Sequence, residues 1–227
     1  MLLGARQFFE KLGGGAPTAR DYVQNGLIAM WDGIENAGWG VHDPYATTWV
    51  DLVGTRTISL DSVYQTITDN SVIFNNSPSV GGQLSSGIDD ILSCELCAKV
   101  TRNSYNSILF LSTLGGSPMK ACIWYSGGSV GAGANKKGYP VAIGDRFTIC
   151  AGAPLLQDFA PIALNGVSQI GTGTSDYFSG YNQLGFGFRS IYQYGGEVYS
   201  LRVYNRIPAA AEIAANYAID KARFNLP

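Results

Sequence analysis

Charge is scarce in this chain: only 14% of its 227 residues are charged, and 15 basic side chains against 17 acidic ones leave a net −2. A protein that neutralises phosphates shows a basic patch and a basic balance, so nucleic-acid binding is not expected. There is one histidine, His42, followed directly by Asp43-Pro44. Neighbouring side chains diverge, so His42 and Asp43 make no catalytic dyad, and a Ser or Cys nucleophile has no ready base. No run of 18 uncharged apolar residues exists, which excludes a transmembrane helix and membrane insertion by one. The opening MLLGARQFFEKL is interrupted by Arg6, Glu10 and Lys11 and lacks the unbroken apolar stretch of about 7–15 residues that a secretory signal needs.

Carboxylate pairs and phosphate loops are missing too. The chain has five glutamates, Glu10, Glu35, Glu95, Glu197 and Glu212. None has an acidic neighbour at the spacing that puts two carboxyls about 5–5.5 Å apart on one strand face for retaining glycoside hydrolysis. GGSVGAGANKKG (127–138) lacks the spacing of a phosphate-binding loop and lies between strands, so it reads as a mildly basic hairpin loop. The four cysteines, Cys94, Cys97, Cys122 and Cys150, all fall in strand-like runs. Cys94 and Cys97 are three apart, hence on opposite faces of a sheet, where they share neither a disulfide nor a metal. They read as small packing residues of a protein folded in a reducing cytosol, and no metal or cofactor is expected.

What is abundant is β-sheet material: 46% hydrophobic residues, 29 glycines and 13 tyrosines. The runs SVIFNNS (71–77), NSILFLSTL (106–114), ACIWYSG (121–127), RFTICAG (146–152), PIALNGVSQI (161–170), QLGFGFRS (183–190) and GEVYSLRVYN (196–205) read as short strands. In QLGFGFRS, Leu184, Phe186 and Phe188 alternate with Gly185, Gly187 and Arg189, a period of two. Asn165-Gly166 is a hairpin turn signal, because both residues accept positive φ. One helix is expected over 208–222, with Pro208 in its first turn and Ile213 and Tyr217 packed on the sheet. The pattern is an antiparallel β-sandwich of jelly-roll type, residues 21–227, behind an N-terminal arm and linker, residues 1–20. The arm's apolar residues Leu2, Leu3, Phe8, Phe9 and Leu12 are candidates for docking into a larger assembly, or belong to a loose terminus.

The segment GGEVYSLRVYNRIPAAAEIAANY (195–217) resembles the last strand and closing helix of laminin-G-like jelly rolls in the concanavalin A-like lectin/glucanase superfamily. NGLIAMWDG, SVIFNNS, CELCAKV and IALNGV follow in the order those domains use, with Cys97 and Cys150 where the family commonly has tryptophan or charge. The family's glucanases carry E-x-D-x-x-E, which this chain lacks. The short Met-first leader, glycine stretch and laminin-G-like domain also resemble the layout of small phage and prophage proteins of gut bacteria. These resemblances imply a non-catalytic lectin-like module of a phage virion or appendage, assembled in the host cytoplasm, homo-oligomeric, binding surface glycans or decorating the particle. The alternatives are a free bacterial carbohydrate-binding protein and a glycosidase with atypical carboxylates such as Glu95 and Glu197.

Trp31, Trp39 and Trp49 fall within one segment that also holds His42, Asp43 and Tyr45. Flat aromatic faces with nearby carboxylates and amides are what sugar recognition requires. Trp39, His42, Asp43, Tyr45 and Trp49 are therefore candidate ligand contacts, and Trp31 is expected to be buried. The same tryptophans would equally serve as the loop's own small core. Tyr177 and Tyr181, in a Ser/Gly/Asn-rich stretch, are a second candidate ligand surface or a subunit contact.

Overall fold

The computed structural model describes residues 15–75, 81–102, 106–112, 119–132, 138–152, 161–170, 182–187 and 194–227. Its strands, in chain order, are β1 (Leu27–Asp32), β2 (Thr48–Val50), β3 (Thr57–Ser59), β4 (Gln65–Ile67), β5 (Val72–Asn75) and β6 (Gly81–Gln83). There follow β7 (Ser93–Val100), β8 (Asn106–Ser112), β9 (Met119–Ser126), β10 (Ser129–Ala132) and β11 (Tyr139–Pro140). The last are β12 (Arg146–Gly152), β13 (Pro161–Leu164), β14 (Val167–Ile170), β15 (Gln183–Phe186) and β16 (Gly195–Tyr204), then helix α1 (Ala210–Phe224).

Two antiparallel sheets make the sandwich. The larger runs β14-β13-β12-β7-β16-β5-β4, with β1 added to the second half of β16, and the smaller runs β11-β10-β9-β8-β15-β6. The hairpin β2–β3 stands apart as a two-stranded ribbon, touching the rest through an isolated bridge from Ile58 to Leu84. Period-two side chains fill the space between the sheets: Leu96 and Ala98 of β7, Phe147 and Ile149 of β12, Leu201 and Val203 of β16 meet Leu109, Leu111, Ile123 and Tyr125. Trp31 lies in this core, as the run LIAMW suggests. At Asn165-Gly166 both φ values are positive, 49° and 75°, which is the geometry of the hairpin turn joining β13 to β14.

The central strands of the larger sheet, β12, β7, β16 and β1, are buried on both faces. The outer face is covered by α1 and by the segment entering β1, where a single 3-10 turn, Ala19–Asp21, is capped by Thr18. Ala19 and Tyr22 are buried there, and the Pro17 carbonyl accepts from Arg223, so the packed body reaches back into the stretch read as arm and linker. Residues 1–14, including Leu2, Leu3, Phe8, Phe9 and Leu12, lie outside the described residues. α1 begins two residues later than expected: Pro208 precedes the N-cap, Ala209, whose N–H donates to the Glu212 carboxylate at 2.7 Å. Asn225, in the left-handed conformation, ends it. Cys94 lies in the inter-sheet core and Cys97 on the outer face beside Tyr199 and Phe224, so the two thiols do point apart. Among the described residues no helix is long and apolar enough to cross a membrane.

Candidate functional site

The segment from Asp32 to Trp49 is knitted together by its own polar side chains. Asp32 accepts from the N–H groups of Ile34 and Glu35, turning the chain as it leaves β1. Asn36, fully buried, donates to the Asp43 carbonyl at 2.7 Å and accepts from the Asp43 N–H at 2.8 Å, closing an inner loop. Glu35 accepts from Gly40 N–H and Ala19 N–H. His42 is exposed, with Nδ1 3.0 Å from the Ile34 carbonyl; a carbonyl only accepts, so Nδ1 carries the proton.

The candidate ligand residues are not brought to one surface. Trp49 is 0% exposed, stacked near Phe186 with its Nε1 donating to the Asp32 carbonyl, and it presents no face to a ligand. That corrects the expectation for Trp49: its indole closes the end of the sandwich core. Trp39 is half-buried beneath the Arg20 guanidinium, 4.2 Å from the ring centroid. Asp43 acts on the backbone, its carboxylate accepting from Tyr45 N–H at 2.8 Å in an Asx turn with Pro44 at the next position. The outcome is Tyr45 held outward, 90% exposed. Tyr177 and Tyr181 lie outside the described residues.

Tyr45 stands on the wall of an open groove of ≈ 250 Å³. One wall is Pro44–Thr47; the other is Leu60, Ser62 and the edge strand β4, with Gln65, Thr66 and Ile67. The walls are joined where Leu60 N–H donates to the Thr47 carbonyl. The second wall is shaped by Asp61, whose carboxylate accepts from Val63 N–H while its carbonyl accepts from Tyr64 and Gln65. Gln65, 5% exposed, accepts the Asp61 N–H on Oε1 at 2.7 Å. That bond fixes which end of the amide is oxygen. Its Nε2 has no hydrogen-bond partner among the described residues. Thr47, Ser62, Gln65 and Thr66 were not singled out by the sequence, because nothing local marks the 62–66 side chains as neighbours of Tyr45 and Thr47, some twenty residues earlier.

The acidic residues weighed as catalysts have other partners. Arg202, Glu95 and Asp220 are each 0% exposed, sealed between the outer sheet face and α1. Arg202 grips Asp220 with both Nη atoms, at 2.8 and 2.7 Å, donates to Glu95 at 3.1 Å, and lies under the Tyr22 ring. Asn216 donates to Glu95; Tyr22, Thr148 and Ser200 donate to Asp220. Burial pushes the Glu95 carboxyl upward against the pull of Arg202. Glu197 pairs across the strands with Lys99 at 2.6 Å. Since Glu197 sits opposite Lys99 and Arg202 opposite Glu95, the two glutamates are four residues apart along the sheet, about 13 Å at the strand rise, far beyond a retaining pair. Burial also pushes the Cys94, Cys97 and Cys150 thiols well up, which keeps them unreactive. Among the described residues no three His, Cys, Asp or Glu side chains converge to hold a metal.

No protein-family model and no curated protein matches the sequence. Solved structures do match. A Trypanosoma rangeli sialidase in complex with sialic acid superposes with a TM-score of 0.60 at 14% identity, over 91% of this chain and 34% of that one. Domain 4 of AbnA, a GH43 extracellular arabinanase from Geobacillus stearothermophilus in complex with arabinotriose, gives 0.55 at 13% identity over 85% of this chain and 98% of that one. The botulinum neurotoxin type G receptor-binding domain gives 0.56 at 15% identity, over 86% of this chain and 51% of that one. The chain thus spans about a third of the length of the sialidases it matches. At such identities the likeness is one of fold alone, and the fold is an antiparallel β-sandwich closed by a C-terminal helix.

Proposed function

We propose that this protein is a non-catalytic carbohydrate-binding module, serving adhesion or decoration as part of a phage virion or surface appendage. The observation that carries the binding half is the open groove at Tyr45, where an exposed aromatic face meets hydroxyl and amide side chains. Two of the matched structures hold saccharides by their own descriptions, sialic acid and arabinotriose, which is the kind of ligand this reading requires. The non-catalytic half is supported by the carboxylates: Glu95 is sealed under α1 and Glu197 is tied to Lys99, which weighs against the hydrolase alternative. The virion role rests on the layout resemblance, with Leu2, Leu3, Phe8, Phe9 and Leu12 as the docking residues and a homo-oligomer as the assembled form. Tyr177 and Tyr181 remain candidates for a second contact surface.

The test pairs a glycan array with a reducing-sugar assay on every glycan that is bound. Binding without sugar release is the expected result. Release that disappears in Glu95→Gln or Glu197→Gln would replace the module with an enzyme. For the virion role, removal of residues 1–14 should abolish incorporation into particles, and retained incorporation would sink the docking idea.

A further inference from the structure

Resting on the carbohydrate-binding reading, we infer that the groove between the Asp43–Thr47 turn and the Leu60–Ile67 segment is the saccharide site and that it selects a neutral sugar. None of its nine lining residues is charged: Pro44, Tyr45, Ala46 and Thr47 face Leu60, Ser62, Gln65, Thr66 and Ile67. The charged groups that shape its walls, Asp43 and Asp61, are both acidic, and each uses one carboxylate oxygen to hold a turn. A sugar bearing a carboxylate or sulfate meets no cation on these walls and is repelled by both aspartates. A purely apolar ligand is also a poor fit, because three exposed hydroxyl-bearing residues, Thr47, Ser62 and Thr66, would lose water without replacement.

Gln65, 5% exposed, is pinned by the Asp61 N–H on its Oε1, and its Nε2 is closed to solvent, so it shapes the wall and offers the groove no donor. Tyr45, 90% exposed, supplies the flat face for the C–H side of the ring. At ≈ 250 Å³ the groove lies below the roughly 300–1,000 Å³ of sites for drug-sized ligands, so it takes one or two rings.

The experiment compares the parent chain and Tyr45→Ala on an array of neutral glucose, galactose, mannose and arabinose oligosaccharides beside sialylated and uronate-bearing glycans. The strongest hit is then titrated. Tyr45 touches solvent on nearly all sides, so its truncation leaves the fold intact and isolates the binding effect; circular dichroism confirms this for the variant. Binding confined to neutral glycans and weakened about tenfold or more in Tyr45→Ala is the expected result. A preference for acidic glycans, or neutral binding undiminished in Tyr45→Ala, overturns the groove and its specificity but leaves the carbohydrate-binding reading standing. No binding of any glycan by the parent overturns both.

Discussion

Trp49, in β2, and Tyr45, in the turn before it, are four positions apart, and burial assigns them opposite roles. Trp49 fills the end of the core against Phe186, so Trp49→Ala is expected to cost about 3–5 kcal/mol in denaturant unfolding, the range for deleting a buried indole. Unchanged stability would show that the indole is not in the core. At Arg202 the ionic cluster gives a second prediction. Asp220→Asn leaves the guanidinium without its bidentate partner and should destabilise by about 3–5 kcal/mol, whereas Glu95→Gln, which touches one nitrogen of the same arginine, should cost clearly less. Equal losses would mean that the two carboxylates share the charge equally. The opposite placement of Cys94 and Cys97 was legible from their spacing, because strand alternation is a local rule. The partners of Glu95 were not, since Arg202 and Asn216 lie 107 and 121 residues away.

Among the elements, the longer strands and the Asn165-Gly166 turn were readable, because each carries its signal in a few consecutive residues. β2, β3, β4, β6 and β11, three residues or fewer, were not, as so short a segment has too little alternation to declare itself, and β10 lay within the glycine-rich stretch read as a hairpin loop. The helix was legible, but the nature of its buried face was not. Ile213 is buried and Tyr217 half-buried against the sheet, as expected, and Ile219 and Phe224 are buried too, yet Asn216 and Asp220 lie among them and bond to the sheet. The hairpin and helix meet at Gly166, whose φ is +75° and where an added Cβ would lie 2.8 Å from the Tyr217 ring. Gly166→Ala combines left-handed strain with that clash and should cost about 1–3 kcal/mol. At about 2–4 °C per kcal/mol for a chain of this size, the loss is readable in thermal unfolding; an unshifted melting temperature would show that the turn relaxes freely.

For the molecule as a whole, burial on both faces of the larger sheet's central strands sets a pH dependence. Burial raises the carboxyls of Glu95 and Asp32, and the neighbouring arginines do not cancel it. A carboxyl raised in the folded state contributes stability that is fully present below its unfolded pKa, near 4, and lost as pH rises through the folded value. Glu197 acts in the other direction. Burial raises it, but hydrogen bonds from Lys99 and Tyr199 outweigh this and hold it low, so its contribution is lost on acidification. Glu197 is partly open to solvent, which screens it, while the other two are sealed. Stability should therefore fall as pH rises above the unfolded carboxyl value, near 4, and Glu95→Gln should flatten that slope. Denaturant unfolding across this range checks it: a slope as steep in the variant as in the parent would remove Glu95 as its source.

The sequence alone determined that this chain is an antiparallel sandwich with a C-terminal helix, because alternation, turn residues and helix composition act over a few neighbouring positions. Its near-balanced charge also set the expectation against nucleic acid, and its glycine stretches lack phosphate-loop spacing. That Trp49 is buried beside Trp31, where the acidic residues find their cations and which hydroxyls share a groove with Tyr45 were decided only by the tertiary structure. A period of two tells that a strand has two faces, but the element that covers each face comes from far along the chain, as Asp220 does for Tyr22 at a separation of 198 residues.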